Sequence, residues 1–302
     1  MRQGWTAVLV LALSAIAESA PAQPTSSTFR TRAEGVTVNV SVKSRNAAVA
    51  GLTASDFILS DNGVPQRVDI VTTESAPLDV TMFLDTSGST AGVIDRWARD
   101  IRAIAGMLRP GDRFRLLTIG LSVYETVPWQ DAGRPFALNV KALPGISLIN
   151  DALAAAFIHD VDPLRRHLIV AFTDGLECGS VVDRSRLIEV GSRADAVVHV
   201  VFGHGEGQLP RDGVIGWCTP SDPDGATALK TVAARTGGET HQARFGTPSV
   251  RAFEGILRDF RQSYVLRYSP RDAPGRGWHQ IRVEVRDRPD LTIRARPGYF
   301  GG

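Results

Sequence analysis

The feature that most constrains this chain is the stretch from residue 78 to residue 261, in which short apolar runs alternate with amphipathic segments. Residues 168–172 and 197–202 are continuously apolar, His199 excepted, and residues 78–84 and 114–119 are mostly so. Runs of that kind suit parallel strands buried on both faces. Helices are predicted over 93–108, 149–159, 184–193, 226–235 and 250–261. In the first of these, Ile94, Trp97, Ile101, Ile104 and Leu108 share one face, while Arg96, Arg99, Asp100 and Arg102 share the other. Pro110-Gly111 then stops it. A short strand over 123–127 precedes the second helix. Alternation of this length predicts an α/β fold, doubly wound around a mostly parallel sheet.

Outside that stretch the texture is β. Val36, Val38, Val40 and Val42 alternate with polar residues, and strands over 57–60 and 66–71 are joined through Asp61-Asn62-Gly63. Asn-Gly favours a tight hairpin because both residues tolerate positive φ. After Ser263, strands are predicted over 264–268, 280–286 and 291–296. Neither end holds enough strands for a sheet pair of its own. Both ends are therefore expected to complete one small seven-stranded β-sandwich, into which the α/β domain is inserted.

The first residues read as a signal peptide: Arg2, an apolar stretch over 7–17, and Ala20-Pro21-Ala22 as the small-x-small cleavage site. The apolar stretch is shorter than the roughly 20 residues of a spanning helix, so no stable membrane span is expected after cleavage. A retained anchoring segment is the alternative. The expected division is a signal peptide over 1–22, an N-terminal β segment over 23–76, the α/β domain over 77–262 and a C-terminal β segment over 263–302. The protein would be exported, to a periplasmic, cell-surface or extracellular location.

Composition removes several function classes. With 34 basic against 32 acidic residues, the chain has no electrostatic footprint for nucleic acid. Two cysteines cannot form a disulfide-rich scaffold or a four-cysteine zinc site. Cys178 and Cys218 each follow a predicted strand on the same face, so a bridge is feasible if those strands are neighbours. Closing that loop of about 40 residues would contribute roughly 4 kcal/mol in the chain-entropy model; the alternative is two unpaired small hydrophobes. No Gly-x-Ser-x-Gly elbow nominates a hydrolase nucleophile. The six histidines lack metal-ligand spacing, and His199 reads as a hydrogen-bonded core residue.

The chemistry concentrates at strand ends. Asp85-Thr86-Ser87-Gly88-Ser89 follows the apolar run 78–84, at the carboxyl end of a strand, where open α/β sheets bind ligands. A second carboxylate, Asp174, ends another run in Phe172-Thr173-Asp174-Gly175, and Gly145-Ile146-Ser147 offers a third hydroxyl before a helix. Helix N-capping is the plain alternative for any one of these residues. Three hydroxyls and two carboxylates, with no imidazole or thiolate, favour a hard cation, Mg²⁺ or Mn²⁺ rather than zinc or copper.

The Asp-Thr-Ser-Gly-Ser turn, the later hydroxyl loop and the Thr-Asp-Gly strand end resemble the von Willebrand factor type A (VWFA) domain and its metal-ion-dependent adhesion site. The flanks, Gly51 to Phe57 with Asp61 to Gln66 and Arg294 to Phe300, resemble a bacterial secreted subset of that family. The resemblance implies that Asp85, Ser87, Ser89, Ser147 and Asp174 hold Mg²⁺, with Mn²⁺ or Ca²⁺ as substitutes. It implies a non-enzymatic adhesion or interaction protein whose partner supplies an exposed Asp or Glu to the ion. The family usually has threonine where this chain has Ser147, so the hydroxyl stays while the methyl that restricts its rotamer is lost. Two other classes are weighed against this reading. One is a structural subunit of an envelope assembly whose ion only orders loops. The other is a phosphotransfer or hydrolytic enzyme using Asp85, opposed by Ser87 where a second aspartate would stand and by the lack of a matching lysine.

Overall fold

The computed structural model describes residues 35–301 except 46, 73–75, 143–144, 146, 159–161, 163, 204–225, 244–248 and 274. The predicted signal peptide and Cys218 lie outside the described residues. In chain order the strands and helices are β1 (Val36–Ser44), β2 (Ala47–Ala48), β3 (Phe57–Asp61), β4 (Val64–Gln66), β5 (Ile70–Thr72), β6 (Leu78–Asp85), α1 (Ile94–Ala105), β7 (Arg113–Ile119), β8 (Val123–Asp131) and α2 (Ile149–Phe157). They continue with β9 (Arg166–Thr173), α3 (Arg184–Arg193), β10 (Val197–Gly203), α4 (Ala226–Thr236), β11 (Thr240–Ala243), α5 (Ser249–Arg261), β12 (Tyr264–Tyr268), β13 (Gly277–Val285), β14 (Thr292–Ala295) and β15 (Gly298–Gly301).

The apolar runs pair as their composition demands. A six-stranded sheet has the order β11-β10-β9-β6-β7-β8, parallel throughout except for the antiparallel edge strand β8. Every residue of β6 and β10 is buried. Alternate residues of β6 divide between the faces: Val80, Met82 and Leu84 pack with α1 and α5, whereas Phe83 packs with α2, α3 and α4. Each fully buried aliphatic side chain of this kind contributes about 1.5–3 kcal/mol, which makes the central strands a rigid base for the loops at their ends.

The outer strands come from both chain ends. A five-stranded sheet runs β14-β1-β12-β5 with β2 beside β1, and a four-stranded sheet runs β15-β13-β3-β4. One apolar cluster draws on both, through Val38, Val40, Leu59, Tyr264, Leu266 and Ile281 among others. The strands are two more than the expected seven, and the predicted strand 66–71 is in fact two. β4 stays with β3 while β5 crosses to pair with β12. The side chain of Gln66 anchors the break, accepting the Arg271 N–H at 2.9 Å and donating to the Arg271 carbonyl at 2.9 Å. The Asn62-Gly63 turn has φ of 49° and 81°, as the hairpin requires.

His199 on β10 is buried and shares a hydrogen bond of 3.1 Å with His241 on β11. Burial, reinforced by the neighbouring imidazole and by the Arg294 and Lys43 charges, holds His199 well below the usual histidine range. Burial also lowers His241, against the opposing pull of Asp259. Because the unfolded chain then binds protons that the folded one refuses, this pair costs stability as pH falls below about 6.5. In EDTA, His199→Leu should show a smaller drop in Tm than wild type between pH 7 and 5. Equal slopes would contradict that assignment.

Candidate functional site

The parallel register decides what meets at the sheet's carboxyl edge. Leu84 pairs with Phe172 and Asp85 with Ile119, so the last residue of β6 lies between the ends of β9 and β7. Asp85 is fully buried there. One carboxylate oxygen accepts the Ser87 N–H at 3.0 Å and the other accepts the Thr173 hydroxyl at 2.7 Å. The backbone behind it is fixed by Thr90, whose hydroxyl bonds the carbonyls of Asp85 (3.1 Å) and Ser87 (2.8 Å).

The hydroxyls do not cap. Ser87 precedes a 3₁₀ turn, Gly88–Thr90, yet makes no side-chain cap bond, and its hydroxyl instead lies 3.0 Å from that of Ser89. Ser147 is buried, and its hydroxyl has no hydrogen-bond partner among the described residues. Leu148, not Ser147, occupies the N-cap of α2. Such an orphaned hydroxyl costs about 1–3 kcal/mol and fits a group that awaits a ligand. The Ser147 carbonyl accepts the Cys178 N–H at 2.9 Å, which ties the Ser147 loop to the loop that carries Asp174. Asp174 is half-buried and its carboxylate accepts the Leu176 N–H at 3.0 Å. Next to it Gly175 turns the chain at φ 85°, where a Cβ would meet the Phe202 ring at 2.9 Å.

Burial, then the nearby Asp174 carboxylate, push the Asp85 carboxyl up to about 6, against the hydrogen bonds from Ser87 and Thr173. Among the described residues, none of the groups acting on it is a cation. A buried carboxylate beside a second one is an arrangement that proteins balance with a positive partner or a metal. Among the described residues no three His, Cys, Asp or Glu side chains converge as a metal cluster. The donor set on offer is therefore hydroxyl-rich: Ser87 and Ser147 buried, Ser89 half-buried, with Asp85 and Asp174.

With this geometry in place, the solved structures that the chain resembles can be compared. A von Willebrand factor type A protein from Catenulispora acidiphila aligns over 90% of this chain and 75% of its own, at 11% identity and a TM-score of 0.49. BatB from Bacteroides thetaiotaomicron covers 60% of this chain and 98% of its own (13% identity, TM-score 0.42). Manganese-loaded TRAP from Plasmodium vivax covers 80% and 97% (14% identity, TM-score 0.40). Solved VWA domains are thus among the structures that the chain resembles. No protein-family model matches the chain. No curated protein matches it. At such identities the VWA likeness concerns fold alone, and chemistry has to come from the residues of this chain.

Two residues important to the geometry around Asp85 escaped the sequence reading. Thr173 stands in the Thr-Asp-Gly strand end, but only the pairing of β9 with β6 shows that its hydroxyl serves Asp85. Glu177 is buried three residues beyond Asp174 and bonds the start of α2, 27 residues away in sequence. Cys178 is disulfide-bonded, and β9 and β10 are neighbours in the sheet.

Proposed function

We propose that this protein is an exported, non-enzymatic interaction protein that binds an acidic group of a partner through a divalent cation. Asp85, Ser87, Ser89, Ser147 and Asp174 would hold the ion, Mg²⁺ first, with Mn²⁺ or Ca²⁺ as substitutes. The observation that carries the reading is the buried Asp85 carboxylate, set beside Asp174 with no cation among the described residues acting on it. The orphaned Ser147 hydroxyl supports it. When bound, the ion would supply positive charge and a coordination position for an incoming carboxylate. Three of the five donors are neutral hydroxyls and only two are carboxylates, so the protein at most neutralises the ion and leaves a coordination position for one more oxygen. Leu121 and Tyr124, at the same edge after β7, are 64% and 59% exposed and offer apolar contact around it.

In this reading residues 1–22 are a cleaved signal peptide, and Cys178 pairs with Cys218 in the oxidising compartment reached by export. The two outer sheets form a sandwich built from 23–76 and 263–302 that frames the domain over 77–262. Among the described residues no helix is long and apolar enough to cross a membrane.

Immobilised protein loaded with Mg²⁺ should retain its acidic partner and release it in EDTA. Retention in EDTA would instead favour a structural subunit whose ion only orders loops. Ser147→Thr should tighten ion affinity severalfold by restricting the hydroxyl's rotamer. A metal titration showing no tightening would contradict a ligand role for that hydroxyl.

A further inference from the structure

The Ser147 loop and the Asp174 loop are bolted together by two carboxylates that the proposed ligand set does not use. Glu177, 5% exposed, accepts the Asn150 N–H in the first turn of α2 at 2.8 Å. Its other oxygen accepts the Ser180 N–H at 2.9 Å, while the Ser180 hydroxyl donates to the first oxygen at 3.0 Å. Asp151, in that same first turn, reaches the opposite way and accepts the N–H groups of Val181 (3.0 Å) and Val182 (2.7 Å). The Asp151 N–H in turn donates to the Ser180 hydroxyl at 3.2 Å. Each loop therefore caps the other through charge-assisted bonds, which are about twice as strong as neutral ones. The positive end of α2 favours both carboxylates.

Resting on the cation reading above, we infer that Glu177 and Asp151 are positioning residues that fix Ser147 and Asp174 relative to each other before the ion arrives. Neither is among the five proposed donors. The consequence follows from ion chemistry: Mg²⁺ and Mn²⁺ demand near-octahedral oxygen placement, so donors on two independently moving loops would bind weakly. The clasp explains how a buried hydroxyl is held in place without a hydrogen bond of its own among the described residues. Cys178 lies between Glu177 and the rest of the loop, and its N–H to the Ser147 carbonyl completes the tie.

The test is a Mn²⁺ titration of the full chain at 20 °C, with free Mn²⁺ read by electron paramagnetic resonance, alongside Tm in EDTA. Glu177→Ala should weaken Mn²⁺ roughly 10–100-fold, as loss of ligand-orienting groups does elsewhere. Glu177→Gln, which keeps one acceptor oxygen, should fall between that variant and wild type. Asp151→Asn should also weaken the ion, which keeps the inference testable if Glu177→Ala does not fold. Variants folded at 20 °C that bind Mn²⁺ as wild type does, whatever their Tm in EDTA, would overturn the positioning role. Wild type that binds no Mn²⁺ would overturn the cation reading on which it rests.

Discussion

Asp61→Ala is expected to lower stability by about 3–5 kcal/mol, because several buried groups, each costing about 1–3 kcal/mol when left unsatisfied, lose their shared partner. Asp61 ends β3 with no solvent exposure. One oxygen accepts the hydroxyls of Tyr268 on β12 (2.8 Å) and Tyr299 on β15 (2.9 Å), and the other lies 2.7 Å from Nδ1 of His279 on β13. Burial, followed by the bond to Asp61, raises both phenols, Tyr299 to about 12, so both remain donors at any working pH. Alanine would strand these groups inside the protein. Because β12 belongs to one outer sheet and β3, β13 and β15 to the other, the loss should loosen the two sheets together. Urea denaturation of wild type and Asp61→Ala measures it. A loss below about 1 kcal/mol, typical of a single neutral hydrogen bond, would show that the network does not join the sheets.

Asp61 also shows where sequence reading stops. The triplet Asp61-Asn62-Gly63 announces a hairpin through local φ preferences, and the hairpin is there. The carboxylate's second task is invisible because its tyrosine partners lie 207 and 238 residues away. The same division holds elsewhere. β6, β9 and β10 are legible because burial on both faces writes continuous apolar runs. β11, Thr-His-Gln-Ala, carries no such run and is placed by its pairing with β10. β15 is too short to show a period and follows Pro297 directly. In the site, Asp85, Ser87 and Ser89 are readable because one turn contains them. Thr173 and Glu177 acquire their roles only when strands and loops distant in sequence come together.

The second large effect has two signs. Asp85→Asn should abolish divalent-ion binding while raising Tm in EDTA, because it removes a buried charge that repels Asp174 and has no cation among the described residues acting on it. Asparagine retains an oxygen for the Ser87 N–H and a donor for the Thr173 hydroxyl oxygen. Stability sacrificed for ligand binding is a recurrent trade at functional sites. The gain should depend on pH. A folded-state carboxyl raised to about 6 means that the wild type binds more protons than its unfolded chain between the ordinary value of 3.8 and about 6. Wild-type stability from this group is therefore recovered as pH falls through that window. The Tm advantage of Asp85→Asn in EDTA should be largest near pH 7.5 and shrink towards pH 4. An Asp85→Asn protein less stable than wild type at pH 7.5 would mean that the carboxylate is already compensated.

The most direct test of the cation site is the Tm of wild type at pH 7.5 in EDTA and in excess Mg²⁺ or Mn²⁺, with Asp85→Asn as the reference. An ion that binds only the folded state at a hundred times its Kd contributes about 2.7 kcal/mol, a rise of roughly 5–10 °C for a domain of this size. The predicted result is that rise in wild type and a flat response in Asp85→Asn. No rise in wild type, or an equal rise in both proteins, would contradict a cation held by Asp85.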